Sequence, residues 1–150
     1  MIRAATPADV ADLRRLMAGS NGYEPGPQQE MIRRYAAGWT LEPDADVWVL
    51  QDDRGVAGFY QLIPHGEADL ELDLFFTADD RQGAGHGRRL FDHMAARARA
   101  RGAGRVLIVS NPAAAGFYRR MGATETGVSP PGQGISWPRP QFELRLSGPG

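Results

Sequence analysis

Three glycines at alternate positions, Gly83, Gly85 and Gly87, lie between two segments of different pattern. Residues 70–76 alternate apolar and acidic side chains, which predicts a strand. Residues 88–101 are rich in Ala and Arg and predict a helix. A strand-to-helix turn exposes free backbone N–H groups and the positive end of a helix dipole. The chemistry that this spacing suggests is phosphate binding, and the alternative is a glycine-rich turn without a ligand.

Two classes of phosphate loop do not fit this spacing. The nucleoside-triphosphate loop requires a lysine, and all 17 basic residues of the chain are arginine. The dinucleotide fingerprint requires a third glycine where the chain has Arg88, or Leu90 if the count starts at Gly85. What remains is the pattern Q-x-x-G-x-G, which spans residues 82–87.

Two carboxylates, Glu71 and Asp73, precede the glycines at a spacing of two, so a strand would place both on one face. The same alternation predicts that Leu72, Leu74 and Phe76 point to the other face. The carboxylates could remove a proton from an amine through water, or attract a cationic amine without moving its proton. They could also be solvated positions on a strand. The residues alone leave these three roles open.

Composition excludes several classes of function. The chain has 150 residues, 42% of them hydrophobic and 23% charged, with a net charge of −1, as in an ordinary globular domain. The absence of cysteine excludes disulfides, thiolate metal sites and a cysteine nucleophile. His65, His86 and His93 have no ligand spacing, so we expect no metal site. No basic stripe predicts nucleic-acid binding, and no membrane span or secretory signal is visible, so a cytoplasmic location is expected.

The elements that must position these residues follow from hydrophobic periodicity. Strands are predicted at residues 2–6, 47–50, 56–63, 68–77, 106–109, 123–128 and 141–146. Helices are predicted at residues 7–18, 28–38, from the glycines to 101, and 113–121. The order β-α-α-β-β-β-α-β-α-β-β indicates an α/β (α+β) fold with a mixed, mainly antiparallel sheet flanked by helices. We expect a single domain over residues 1–150, with residues 147–150 frayed.

Two segments resemble motifs of the GNAT superfamily of acyl-coenzyme A-dependent N-acetyltransferases. Residues 71–87 are similar to the family's strand and loop, roughly E-L-x-x-L-[FY]-V-x-P-x-x-Q-G-x-G-x-G. Thr77 replaces the usual valine, Asp79 the usual proline and His86 a small aliphatic residue, but none of these changes removes a backbone N–H. Residues 111–123 are similar to N-x-x-A-x-x-[FL]-Y-x-x-x-G-F. The element order also matches the GNAT fold, so the resemblance covers nearly the whole chain.

The resemblance implies acetyl-coenzyme A as co-substrate. Its pyrophosphate is expected on the N–H groups of residues 82–87, with His86 contacting a phosphate or covering the pyrophosphate, and with Gly87 allowing the turn into the helix. The pantetheine arm is expected to pair with the end of the strand, provided that the parallel strand at residues 106–109 diverges. Arg88 would contact phosphate or face water, and Asn111 would bond the arm or cap the next helix. The expected cofactor contacts are Phe75, Phe76, Thr77, Gln82, Gly83, Ala84, Gly85, His86, Gly87, Arg88 and Asn111.

The activity implied by the resemblance is direct transfer of an acetyl group to a primary amine of a small molecule or peptide, within a ternary complex. Tyr118 matches the family's general acid, with packing beside Phe117 as the alternative. Glu71 is the first choice for the base, and Asp73 the second. Competing interpretations are a catalytically silent acyl-coenzyme A-binding module, the same fold with a longer acyl donor, and a phosphate-binding protein unrelated to acyl transfer.

The acceptor side of this fold is formed by residues 20–39 and 128–140. Arg139 could bind an acceptor carboxylate or be exposed, and the sequence does not decide whether it or Trp137 touches the acceptor. Tyr23 could line the pocket, whereas core packing is expected for Trp39. Dimerisation is common in the family, and the sequence neither supports nor opposes a homodimer.

Overall fold

The computed structural model describes residues 1–78, 85–132 and 135–146. The strands are β1 (Ile2–Ala4), β2 (Asp46–Asp52), β3 (Gly55–His65), β4 (Asp69–Thr77), β5 (Arg105–Val109), β6 (Thr124–Ser129) and β7 (Arg139–Arg145). The helices are α1 (Val10–Ala18), α2 (Pro27–Gly38), α3 (His86–Ala100) and α4 (Ala115–Arg120). Short 3-10 turns, Pro7–Asp9 and Pro112–Ala114, precede α1 and α4. The predicted order of elements is confirmed, and no described helix is long and apolar enough to cross a membrane.

The seven strands form one sheet in the order β1-β2-β3-β4-β5-β7-β6. β4 and β5 are parallel, and every other neighbouring pair is antiparallel. The last strand, β7, lies between β5 and β6, so β6 forms the edge of the sheet and β7 lies inside it. The mixed, mainly antiparallel sheet flanked by helices agrees with the predicted fold class.

Each face of the sheet has its own hydrophobic core. On one face, α1 and α2 bury residues such as Leu13, Ile32 and Trp39 against β2, β3 and the end of β4. Trp39 is 7% exposed, as expected for a core residue. On the other face, α3 and α4 bury side chains including Phe91 and Tyr118 against β3, β4, β5 and β7. The helical spacing of these apolar residues explains why each helix has one buried stripe.

A β-bulge reverses the side-chain direction of β4 at Asp73. Gln61 pairs with Leu74 and Leu62 with Leu72, so Asp73 is an extra residue on β4. Leu72 packs in the core under α3, whereas Leu74 packs in the core under α1 and α2. The prediction that Leu72 and Leu74 share a face is therefore wrong, because strict alternation in a sequence does not reveal an inserted residue.

The parallel strands β4 and β5 are paired at one end only. Pairing begins at Leu70–Val106 and ends at Leu72–Ile108, although β4 continues to Thr77. Among the described residues, the edge of β4 beyond Leu72 has no strand partner on that side. β5 remains bonded to β7 through Val109. The divergence of the two strands, which the sequence analysis required, is confirmed, and it leaves an opening in the sheet.

Candidate active site

A cavity of about 550 Å³ lies beside the unpaired end of β4. Its walls come from the loop between α1 and α2, the end of β4, the first turn of α3 and the segment that contains α4. The predicted cofactor contacts that line it are Phe75, Phe76, Thr77, Gly85, His86, Gly87, Arg88 and Asn111. Gln82, Gly83 and Ala84 lie outside the described residues. The fold therefore brings two motifs that are distant in sequence to one cavity.

Tyr118 lines this cavity and also belongs to an aromatic cluster. Its ring centroid lies 5.4 Å from that of Phe117, 5.9 Å from Phe142 and 6.2 Å from Phe75. Only 6% of the residue is exposed. Burial raises the pKa of the Tyr118 phenol, and the neighbouring Tyr23 raises it further. The phenol is therefore protonated at neutral pH, so it can donate a proton but cannot accept one.

The first turn of α3 is open to an anion. Gly85 occupies the N-cap position with φ of 77°, a left-handed conformation that glycine adopts without strain. No side chain of the described residues caps this helix, so its first N–H groups and its dipole are available to a negatively charged ligand.

Gly87 has a different role from the one predicted. It lies inside α3 rather than in the turn before it. A Cβ atom at this position would lie 3.1 Å from Cε1 of Phe117, which is closer than an ordinary contact. The missing side chain thus lets α3 approach Phe117 at the cavity wall. The expectation that Gly87 allows the turn into the helix is wrong, and Gly85 provides that conformation.

His86 connects the start of α3 to the end of β2. Its Nε2 lies 3.3 Å from Oδ2 of Asp52, and 12% of its side chain is exposed. Its Nδ1 is buried and has no hydrogen-bond partner among the described residues. A contact between His86 and a phosphate remains a prediction.

Asn111 bonds across the cavity instead of capping the next helical turn. Its Nδ2 donates a hydrogen bond to the carbonyl oxygen of Gly22 at 2.5 Å. Although Asn111 holds the N-cap position before Pro112–Ala114, its side chain makes no capping bond there. The α1–α2 loop is thereby tied to the end of β5. The predicted alternative of a side-chain cap is wrong, and a contact with the pantetheine arm remains a prediction.

The two predicted carboxylates differ in position. Glu71 lies in the paired part of β4, opposite Leu107, and its Oε1 is 3.8 Å from Nδ1 of His65. Asp73 is the bulge residue, just beyond the last pair with β5. Burial raises the pKa of the Asp73 carboxyl above its usual range, and the charge of Glu71 raises it further. The two groups thus interact, although neither is among the described residues that line the cavity.

Tyr23 connects the cavity to the acceptor side predicted from the sequence. Its ring stacks on Phe76 with centroids 6.2 Å apart, and it lines the cavity. Burial raises the pKa of the Tyr23 phenol to about 12, an effect that the charge of Arg139 opposes. The Nε atom of Arg139 and the Nε1 atom of Trp137 are buried, and neither has a hydrogen-bond partner among the described residues.

Arg120 and Gly22 are among the cavity residues that were not named as predicted contacts. Arg120 lies three residues after Phe117, and this spacing places both side chains on one face of a helix. The spacing could therefore have indicated that Arg120 lines the cavity. Gly22 also lines it, through a loop whose partner is 89 residues away in sequence. The resemblance had assigned residues 20–39 to the acceptor side, but no local pattern indicates the bond between Gly22 and Asn111. The described residues contain no cluster of three or more His, Asp or Glu side chains that could hold a metal ion.

Comparison with known proteins agrees with this geometry. A family model described as "Acetyltransferase (GNAT) domain" matches residues 43–122, more than half of the chain. The GCN5-related N-acetyltransferase "Aminotransferase, Class-II" from Rhodopseudomonas palustris has a TM-score of 0.81 at 19% identity, covering 97% of this chain and 95% of that one. No curated protein shows significant sequence similarity to the chain.

Two further solved structures share the fold. The ribosomal-protein-S18-alanine N-acetyltransferase from Escherichia coli has a TM-score of 0.74 at 17% identity, covering 100% of this chain and 96% of that one. N-acetylglutamate synthase from Neisseria gonorrhoeae, complexed with coenzyme A and N-acetyl-glutamate, has a TM-score of 0.71 at 19% identity, covering 98% and 35%. Together with the match of the family model, the shared fold shows that the chain belongs to the GNAT acetyltransferase family.

Proposed function

We propose that the chain is an N-acetyltransferase that moves an acetyl group from acetyl-coenzyme A to a primary amine. The observation that carries this proposal is the separation of β4 from β5 beyond Leu72–Ile108, beside a cavity that Tyr118 lines. A free strand edge can hydrogen-bond an extended ligand as an added strand would. The pantetheine arm of coenzyme A is such a ligand, and its thiol end would then lie near Tyr118.

The described residues offer complementary groups to the rest of coenzyme A. The open N-terminus of α3 suits the pyrophosphate, because free N–H groups and the helix dipole both favour negative charge. Arg88 and Arg120 line the same cavity and add positive charge. Gln82, Gly83 and Ala84 are proposed to contribute further N–H groups from the segment before Gly85.

In the proposed reaction, the amine nitrogen forms a bond to the thioester carbonyl carbon and the carbon–sulfur bond breaks. Tyr118 donates its phenolic proton to the departing sulfur, so coenzyme A leaves as the thiol. The position of the Tyr118 side chain on the cavity wall supports this role, and a phenol carries its proton at neutral pH. The amine must lose a proton before or during attack, and a carboxylate can take it through water. No side chain forms a covalent bond to the acetyl group.

Asp73 is the better placed of the two carboxylates for that proton. It lies beyond the last β4–β5 pair, whereas Glu71 lies within the paired part of the strand and next to His65. Burial also gives Asp73 a raised pKa, which makes its ionised form a stronger base than that of an exposed aspartate. We therefore propose Asp73 as the proton acceptor, with Glu71 raising its pKa.

The amine itself does not follow from the fold. The similar structures named above include one enzyme named for the alanine of a ribosomal protein and one that binds N-acetyl-glutamate. A peptide amine and a small-molecule amine are therefore both compatible with this architecture. The acyl group is proposed to be acetyl, with longer chains as a measurable alternative.

Two measurements test the proposal. Isothermal titration measures binding of acetyl-coenzyme A and of butyryl-coenzyme A. A thiol-reactive dye then follows release of coenzyme A in the presence of polyamines, amino acids, aminoglycosides or peptides, and mass spectrometry identifies the acylated amine. We expect acetyl-coenzyme A to bind and at least one amine to accelerate thiol release and gain an acetyl group.

The outcomes separate the competing functions. Binding of acetyl-coenzyme A without release of thiol by any amine would support a catalytically silent binding module. Faster turnover with butyryl-coenzyme A than with acetyl-coenzyme A would show that the enzyme transfers a longer acyl group. No binding of either acyl-coenzyme A would overturn the proposal.

A further inference from the structure

One half of the sheet presents charged side chains on the face opposite α3 and α4. Arg105 of β5 donates from Nε to Asp69 of β4 at 2.9 Å and from Nη1 to Glu143 of β7 at 3.1 Å. Arg145, at the end of β7, lies 3.1 Å from Glu143. On this face, therefore, cations and carboxylates of neighbouring strands neutralise one another.

Arg139 is on the same face, but no carboxylate of the described residues neutralises it. Side chains alternate along β7, and Phe142 packs in the core under α3 and α4, so Arg139 and Glu143 share the opposite face. No ion pair joins Arg139 to another described residue, and its Nε is buried without a hydrogen-bond partner among them. A partly buried guanidinium without an acceptor is costly, so this position favours an anionic ligand.

Two hydrogen bonds place Arg139 at the opening between β4 and β5. The carbonyl oxygen of Pro140 accepts a hydrogen bond from the N–H of Ser110 at 2.8 Å, which fixes the start of β7 against the end of β5. The next residue, Asn111, bonds the loop that carries Tyr23. The consecutive residues Ser110 and Asn111 thus bond the chain neighbours of Arg139 and of Tyr23. The charge of Arg139 opposes the rise in the pKa of Tyr23, which agrees with their proximity.

A carboxylate lies on the other side of the opening. Asp73 is the extra residue in the bulge of β4, and burial together with the charge of Asp73 raises the pKa of the phenol of Tyr35 in α2. Extending the register of β4, β5 and β7 by three residues past Leu72 puts Arg139 at the level of Phe75, two residues past Asp73. β4 and β7 are separated by β5, that is by about 10 Å or more at the opening. One side of the opening therefore has a carboxylate, and the other has a cation that is not paired with any described residue.

We propose that the acceptor is a small amino-carboxylate, a molecule with a carboxylate a few bonds from its reacting amine, and that Arg139 binds the carboxylate. This inference rests on the proposed acetyltransferase function. The guanidinium can hold a carboxylate through two parallel N–H···O bonds while the amine lies on the Asp73 side. The same charge disfavours polyamines, whose second ammonium group would meet Arg139.

The test compares matched pairs of acceptors that differ only at the carboxylate. Thiol release is measured with amino acids and dipeptides and with their carboxamides, and with glycine, β-alanine and γ-aminobutyrate to vary the spacing. The variants are Arg139→Gln, Arg139→Lys and, as a control, Arg145→Gln, which removes a cation from the exposed end of the same strand. Thermal unfolding of each variant verifies that it is folded.

We expect wild-type protein to prefer the carboxylate of each pair. Arg139→Gln should lower kcat/KM for the carboxylate acceptor by about 10- to 100-fold, mainly through KM, and leave the carboxamide nearly unchanged. Arg139→Lys should recover part of the loss, because it keeps the charge without the planar pair of donors. Arg145→Gln should resemble the wild type.

Three results would overturn the inference. Equal use of carboxylates and carboxamides by the wild type would show that no anionic group is recognised, while leaving the acetyltransferase function intact. An equal loss for both acceptors in Arg139→Gln would assign Arg139 a structural role. No thiol release with any amine would overturn the acetyltransferase function and this inference together.

Discussion

The side-chain amide of Asn111 donates a hydrogen bond to the carbonyl oxygen of Gly22 at 2.5 Å, joining residues 89 apart in the chain. Both residues line the cavity. The bond fixes the loop before α2 against the end of β5, so one wall of the proposed coenzyme A site depends on it. The backbone of Asn111 is extended, with φ of −65° and ψ of 148°, which directs the chain into the following 3-10 turn.

We expect Asn111→Ala to lower the free energy of unfolding by about 1 kcal/mol, the usual net value of a hydrogen bond. Asn111→Asp should lower the free energy of unfolding further at neutral pH, because its ionised carboxylate would face the Gly22 carbonyl oxygen. Both variants should bind acetyl-coenzyme A more weakly by titration calorimetry. Urea unfolding checks the order of stability. If Asn111→Asp is as stable as the wild type, the bond to Gly22 does not hold this wall.

The contribution of Tyr118 can be separated from its packing. Tyr118→Phe keeps the aromatic ring in its cluster and removes only the proposed proton donor. We expect kcat to fall by about 100-fold, the lower end for general acid catalysis, with unchanged affinity for acetyl-coenzyme A. The control is Tyr60→Phe, which removes another buried hydroxyl, bonded to Nδ1 of His93 at 2.8 Å. That variant should lose stability and keep its turnover, and full turnover in Tyr118→Phe would remove the acid role.

Local patterns were sufficient to predict most of the fold. Alternating residues gave β4 and helical spacing gave α1 and α3, although α3 begins after Gly85 and not after the expected Gly87. The boundaries differed by a few residues, as at α4, whose predicted first turn is a 3-10 turn. Each of these features depends on residues that are close in sequence.

The features that local patterns could not predict depend on distant partners. The bulge at Asp73 appears only when the partners of Leu72 and Leu74 on β3 are known, since the residues of β4 alternate without a break. The bond from Asn111 to Gly22 links two loops, and the same asparagine in sequence equally suited a helix cap. The proposed base illustrates the consequence, because the sequence favoured Glu71, and only the position of Asp73 beyond the last β4–β5 pair favours Asp73 instead.

Gly58 provides a test of the packing between β3 and α3. This residue pairs with Leu50 on one side and Thr77 on the other. A Cβ atom there would lie 2.9 Å from the carbonyl oxygen of Phe76 and 3.3 Å from Cδ2 of Leu90. Gly58→Ala should therefore reduce the free energy of unfolding by about 2 kcal/mol, because backbone must move. Gly38→Ala, where the new Cβ has no close contact, should be neutral or slightly stabilising.

The ion pair between Arg3 and Asp9 should make stability depend on pH in the acid range. Hydrogen bonds from Arg3 and Thr6 lower the pKa of Asp9 from 3.8 to about 2, although burial opposes this change. The stabilisation is fully present above pH 3.8 and is lost as pH falls towards 2. Asp9→Asn should lower the free energy of unfolding by about 2 kcal/mol at neutral pH. This difference from the wild type should shrink as the pH falls from 3.8 to about 2.

An exposed ion pair within α1, the helix that follows Asp9, provides the control. Asp12 pairs with Arg15, and both side chains are exposed. Asp12→Asn should change the free energy of unfolding by no more than about 0.5 kcal/mol. Urea unfolding at several pH values measures both variants. A constant difference between Asp9→Asn and the wild type down to pH 2 would contradict the assignment.

The pH dependence of turnover distinguishes Asp73 from Glu71. If ionised Asp73 accepts the proton, kcat/KM falls as pH decreases through its pKa, which burial and the charge of Glu71 have raised. Asp73→Asn should abolish this acidic limb and lower kcat by about 100-fold. Glu71→Gln should keep the limb but move it to lower pH, because removing the neighbouring charge lowers the pKa of Asp73. Loss of the limb in Glu71→Gln and its persistence in Asp73→Asn would instead identify Glu71 as the base.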